Sequence, residues 1–463
     1  MGTRVADVER VPAAQGQGQG QGPGDEQGQG TPAHGLLINR DFALLWSGQT
    51  VSTLGDVVFS TTLVLWIATG IGRGRAWAPL AVSGVLIATA IPTLVGPLAG
   101  VFVDRWDARR AMLWADALRA LLILCLLPLP FATHSLPAPW QLGAIYGVVF
   151  SARICAQFFN PARLALTGDI VTDEQGRARA AGLEQVTAGL AAIVGPAVAA
   201  PLFVALGAEV ALAANALSFV ASFLALLAIR APHPAAGDAN VAEQGQAGHV
   251  WREFGQGARL YLTNRVLTVL LVSTVVVMLG AGALNALDYF FATDNLHMAP
   301  RLYGFLSAAF GVGALAGAIL ATLGAGRLGV ARLFWLSILA AGALTLVYAR
   351  LTSIVPALIV LFLMGPANAA VNVAVGPLIL HATPRAYVGR VTAILLPAVD
   401  LASLISIGAA GVIVSTVLRG FRATLLGLSL GPIDTVFTAT GLLMLAGGLY
   451  AMANLRDINP VQP

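Results

Sequence analysis

The sequence predicts an all-α membrane protein of about twelve transmembrane helices in two six-helix halves. Three observations predict it. Of the 463 residues, 57% are hydrophobic and only 10% charged, with a mean hydropathy of +0.80; a soluble domain carries about 25% charged residues, so this balance cannot clothe a water-soluble surface. Apolar runs of about twenty residues, long enough to cross about 30 Å of hydrocarbon as helix, recur along the chain. Only helices or closed barrels satisfy backbone groups in lipid, and runs this continuous are helices. The arginines, finally, fall in alternate connections between those runs.

Taken in order, residues 1–36 form a Gly/Gln-rich tract with the repeat QGQGQGQG. It has nothing to bury and is expected to be a disordered cytoplasmic tail. Lacking an apolar core, it does not read as a cleavable signal peptide. Spans are expected at about 42–69, 78–103, 110–132, 139–160, 182–206 and 209–230, which make an N-terminal half over 37–230. A polar linker, 231–264, follows; its second part, WREFGQGARLYLTN, spaces aromatic and aliphatic residues as an amphipathic surface helix would. Six more spans, at about 265–291, 302–324, 330–349, 353–381, 387–416 and 432–454, make a C-terminal half over 265–455. Residues 456–463 are a second cytoplasmic tail.

The basic residues test this topology independently, because short cytoplasmic loops collect positive charge. With the N-terminus inside, eighteen arginines fall on the cytoplasmic side and six on the outer side: Arg73, Arg75, Arg301, Arg350, Arg419 and Arg422. Arg119 and Arg153 lie within spans. Both termini are therefore expected in the cytoplasm. The net charge of +4 is scattered over short loops and reads as topology, not as a nucleic-acid surface. The sequence contains no lysine, which excludes a phosphate-binding Walker A loop. Cys125 and Cys155 fall in apolar segments, and the six histidines show no metal-ligand spacing. No enzyme activity, metal or cofactor is expected.

The strongest local pattern is the connection between the second and third spans, GVFVDRWDARRAM. Gly100, Asp104, Arg105, Arg109 and Arg110 match the loop signature of the major facilitator superfamily, with Asp107 where that family usually has Gly. The connection between the eighth and ninth spans, GAGRLGVARLF, echoes it 222 residues later, aligning Arg327 with Arg105 and Arg332 with Arg110, while Gly326 replaces the acid. Such an echo fits two parallel six-span repeats. Further segments are NRDFALLWSGQTVSTLGD, FFNPARLALTGDIV, GPAVAAP, LYGFLSAAFGVGALAGAIL and TPRAYVGRV. Over about residues 38–455 the chain resembles the major facilitator superfamily, specifically the branch of bacterial macrolide-efflux and enterobactin-export proteins.

That resemblance implies a secondary transporter of the inner or plasma membrane. It would export an amphipathic small molecule, a drug such as a macrolide or a siderophore, in exchange for protons by alternating access. A monomer within the bilayer would suffice, with no nucleic-acid partner. Two other readings stay open: an importer or uniporter of the same fold, and a non-transporting sensor or scaffold. By the same resemblance, Asp104 would latch the inner gate against the positive N-terminus of the eleventh span, near Gly389. A plain solvated turn is the alternative, most evenly balanced for Arg109 and Arg110. GPAVAAP resembles the antiporter signature of the fifth span, where Gly195 and Pro196 would bend the helix; static close packing is the alternative.

Ionisable residues inside a membrane cost at least about 2.5 kcal/mol and are functional candidates by default. Asp56 and Asp400 each lie about 20 Å along their spans at 1.5 Å per residue, near mid-membrane. They are the first and second candidates for proton coupling, with a satisfied structural acid as the alternative for each. Asp288, beside Asn285 towards the outer end of the seventh span, suits a rim residue as well as a proton site. Arg153 resembles the arginine of the family's fourth-span proton signature, or else snorkels to the inner surface. Asp116 and Arg119, three apart, share a helix face and read as an internal pair. Polar candidates for the cargo cavity are Gln49, Ser52, Thr53, Asn285, Asn368 and Asn372, with Phe59, Trp66, Phe290 and Phe291 as an apolar lining. This mix suits an amphipathic cargo better than a sugar.

Overall fold

The computed structural model describes residues 38–103, 106–132, 135–230, 259–425 and 428–456. The linker's amphipathic helix therefore lies mostly outside the described residues, as do the N-terminal tail, Asp104 and Arg105. Among the described residues, ten helices are long and apolar enough to cross a membrane. One of them, Glu174–Ala228, has 55 residues, about 80 Å of helix and more than twice the hydrocarbon thickness. It breaks at Gly207, whose φ of 82° lies in the left-handed region that glycine enters freely. Ala108–Leu126 is a further helix of 19 residues, whose arginines and Asp116 lower its hydropathy. With that break and that helix, the architecture is consistent with the expected twelve crossings.

The crossings, named spans 1 to 12, begin with Arg40–Leu65, prolonged by a π-helical stretch to Ile71. Span 2 runs from Ala78 to Val103 and tightens into a 3-10 turn at Ile91–Val95, where Pro92 removes a backbone donor. Spans 3 and 4 are Ala108–Leu126 and Ala138–Ile170. The helix of span 4 thus continues ten residues past its expected end at 160, through Pro161. Spans 5 and 6 are 174–206 and 208–228. In the second half, span 7 is Arg265–Asp294, span 8 Tyr303–Leu328 and span 9 Val330–Tyr348. Span 10 is Ile354–Ala382, span 11 Val388–Val412 with a π-helical end to Val417, and span 12 Pro432–Leu455. A three-residue antiparallel hairpin, Ala423–Leu425 with Leu428–Leu430, sits between the last two.

Polar side chains fasten the span ends. On the face that carries both described termini, the terminal face, Asn39 caps span 1 and donates to Ile170 O at 3.0 Å. Asn264 caps span 7 and donates to Ala382 O at 2.8 Å. Asp107, the departure from the family pattern, is the N-cap of span 3 and accepts from Arg110 N at 2.7 Å. Each bond satisfies a backbone group that a helix end leaves open.

Packing differs between the two faces. One hydrophobic core joins both halves at the opposite, far face, uniting Trp66, Val82 and Phe219 with Phe291, Tyr348 and Phe437. At the terminal face each half has a separate core, one around Met112 and Phe159 and one around Leu270 and Phe334. Contacts across the halves follow the same division. Leu80 N donates to Ser415 Oγ at 3.2 Å, and Gly304 faces Pro196 O so closely that a Cβ there would clash. By contrast Gly182, Gly189, Gly324 and Gly389, all towards the terminal face, have open space beside them among the described residues.

Candidate functional site

The N-terminal half holds a buried charge cluster built from spans 1, 3, 4 and 6. Arg119 and Asp116 sit one turn apart on span 3, and Arg119 Nη2 donates to Asp116 Oδ1 at 2.5 Å. Asp116 has no exposed surface and Arg119 is 5% exposed. The guanidinium lies between two rings, with Phe159 of span 4 at 4.6 Å and Phe219 of span 6 at 4.3 Å. Ring faces attract a cation most strongly where water is excluded. Its other arm reaches Asp56 of span 1, Nη1 to Oδ2 at 3.9 Å, and the Asp56 side chain keeps 27% of its surface. Arg119 is therefore shared unequally between a sealed acid and an accessible one.

Small and polar residues allow span 1 to come this close. Gly55 faces Asn215 and Ser218 of span 6, and Gly195 of span 5 faces Val57. A cavity of about 20 Å³, lined by Asp56, Arg119, Arg153 and Asn215 among others, adjoins the cluster. Arg119 Nε and Asn215 Nδ2 are buried beside it without a hydrogen-bond partner among the described residues.

The remaining candidates are dispersed. Asp288 accepts from Tyr348 Oη at 2.7 Å, against the Phe291, Tyr348 and Phe437 rings at the far face. Asp400 of span 11 is half-buried near Thr93 in the 3-10 turn of span 2, whose Oγ1 donates to Ala90 O at 2.7 Å. Gln49 donates to Ser222 of span 6 at 3.1 Å, and Ser52 is buried; both thus turn into their own half. Thr53 is half-buried. Asn285 is exposed and donates to Ala281 O, while Asn372 is exposed and donates to Asn368 at 3.3 Å. Phe59, Trp66, Phe290 and Phe291 belong to the shared far-face core. In the first turn of span 3, Arg109 donates to Leu226 O and Leu227 O at 2.9 and 2.8 Å, closing the end of span 6, and Arg110 is exposed. Gly100 has open space beside it.

Sequence reasoning paired Asp116 with Arg119 but did not join Asp56 to them, and it missed Phe159, Asn215, Phe219 and Tyr348. A signal for span 6 was present: Asn215, Ser218 and Ser222 recur at helical spacing on an otherwise apolar segment.

Helices that share one core at the far face and keep separate cores at the terminal face, enclosing charges that lipid would not tolerate, define a polytopic membrane protein. The chain belongs to the major facilitator superfamily: the family described as transmembrane secretion effector matches residues 32–443. It is similar to macrolide efflux protein A of Streptococcus pyogenes, 27% identical over 280 residues, 60% of this chain. That match spans 65% of the relative's length, just under two thirds. The MFS-type transporter YkuC of Bacillus subtilis (strain 168) is 25% identical over 387 residues, 80% of this chain and 84% of YkuC. Among solved structures, a bacterial homologue of the iron transporter ferroportin in an inward-facing state superposes with a TM-score of 0.67. At 15% identity, covering 90% of this chain and 98% of that one, it shares the fold.

Proposed function

We propose that this transporter exports an amphipathic small molecule, a drug such as a macrolide or a siderophore, in exchange for protons. The observation that carries the reading is Arg119 shared between Asp116 and Asp56. When Asp56 is ionised, the guanidinium holds spans 1 and 3 together by charge. A proton on Asp56 cancels that attraction and leaves Arg119 to Asp116 alone, which loosens span 1 against span 3. Loading and unloading one accessible acid thereby shifts the balance between two packings of the same helices.

Alternating access supplies the second part. The shared far-face core and the separate terminal-face cores support a state open towards the terminal face. The arginine bias supports reading that face as the cytoplasmic one. Cargo would enter between the halves and leave after the far-face core parts and the terminal face closes. Export, as opposed to import, draws support from the macrolide-efflux relative.

Everted membrane vesicles with an imposed proton gradient test the reading. Wild type should move a labelled macrolide or siderophore only while the gradient lasts. Asp56→Asn should lose gradient-driven movement at least about tenfold yet keep gradient-independent exchange of cargo. Gradient-driven movement unchanged in Asp56→Asn would exclude Asp56 as the coupling acid.

A further inference from the structure

The far face, closed towards the interior by the shared core, carries an open cavity of about 820 Å³, within the range that takes a drug-sized molecule. Arg73 and Arg75 reach it from the connection between spans 1 and 2, and Arg419 from the connection between spans 11 and 12. Three of the six arginines on this face thus converge from opposite ends of the sequence. Among the described residues none of the three is in an ion pair. One acid, Asp294, lines the cavity, so positive charge stays in excess. Both arginine-bearing connections turn at a left-handed glycine, Gly74 with φ 68° and Gly420 with φ 74°, a conformation costly for other residues. Phe203 and Phe290 supply an apolar wall behind the charges.

We propose that this cavity binds the anionic group of an amphipathic molecule, a carboxylate or phosphate carried by the exported compound or by a lipid headgroup. Guanidinium groups match both oxyanions in bidentate geometry. A single exposed arginine holds an anion weakly; three converging on one cavity with an apolar wall select a molecule that is acidic at one end and greasy at the other. The cavity's place as the exit of the transport path rests on the export reading above, whereas binding does not.

The test uses the full chain in phosphatidylcholine nanodiscs, titrated with dansylglycine and with its neutral amide and read by fluorescence anisotropy. Wild type should prefer the acid by about tenfold, the fold-change of one good charge-assisted contact, and added salt should erode the preference. Arg73→Gln, Arg75→Gln and Arg419→Gln combined should abolish it, while the three Arg→Lys changes retain most of it. Asp294→Asn should strengthen acid binding, which keeps the test informative if the glutamine variant does not fold. Repeating the titration in phosphatidylglycerol nanodiscs names the source. Competition stronger in wild type than in the glutamine variant identifies a lipid headgroup; equal competition identifies a soluble compound. Equal affinity for acid and amide in wild type, or an unchanged preference in the glutamine variant, overturns the proposal. Failure of the export reading would show separately, as absent vesicle transport with the acid preference intact.

Discussion

Arg119 is the residue whose loss should cost most. It is buried with Asp116 and held by two rings, so Arg119→Leu strands a carboxylate with no water to receive it. Removing one partner of a buried pair costs about 3–5 kcal/mol. Arg119→Leu should therefore lower the melting temperature of the purified protein sharply, and Arg119→Leu with Asp116→Leu should recover much of the loss. Recovery absent from the double variant would mean that the rings and not the charges hold this site. Asp56, with 27% of its side chain exposed, behaves differently, and its substitution should be read in transport and not in stability. That contrast was invisible in the sequence, where both acids are single charges in apolar runs.

Glycines separate into two groups at the scale of helices. Gly313 and Gly317 of span 8 lie against Phe362 and Pro366 of span 10, and a Cβ at either would collide with backbone. Gly189 of span 5 has nothing within 4 Å. Gly317→Val should destabilise by about 1–3 kcal/mol, the cost of overpacking. Gly189→Ala should be tolerated and slightly stabilising, since alanine is favoured over glycine in helix by up to about 1 kcal/mol. Thermal unfolding in detergent distinguishes them; equal losses would mean that spans 8 and 10 part readily. The small-residue pattern was legible in the sequence, but which glycines meet a neighbour was not, because one helix face looks like another until its partner is known. The same holds for Gly195 and Pro196: span 5 runs through both, and Gly195 seats Val57 of span 1 while Pro196 O meets Gly304 of span 8.

For the whole molecule, the prediction concerns the fused far face. A Cβ on Gly411 of span 11 would lie 2.7 Å from Ser83 Cβ of span 2, so cysteines at the two positions should cross-link after a small backbone shift. With Cys125 and Cys155 replaced by alanine, Ser83→Cys/Gly411→Cys should form a disulfide on oxidation. That bond should stop transport and reduction should restore it, since in the proposed cycle the far face parts at each turnover. Transport undiminished by the cross-link would remove alternating access through this face.

Composition and span length by themselves determined the class of this protein, helical and in lipid, and the loop motifs carried a resemblance to the major facilitator superfamily that the family match bears out. Those properties follow from one-dimensional quantities, since a bilayer demands about twenty apolar residues per crossing and a fully bonded backbone. Most helix starts followed the apolar runs to within two residues, but span 5 begins eight residues before its expected start and span 4 ends ten past its expected end. Only the tertiary structure decided that Arg119 serves two acids from two spans, that Leu80 meets Ser415 across the halves, and that Arg73, Arg75 and Arg419 share one cavity. Each is a contact between segments far apart in sequence. In an apolar helix the hydrophobic periodicity that orients a soluble helix is nearly absent, so the inward face emerges only when neighbouring spans pack.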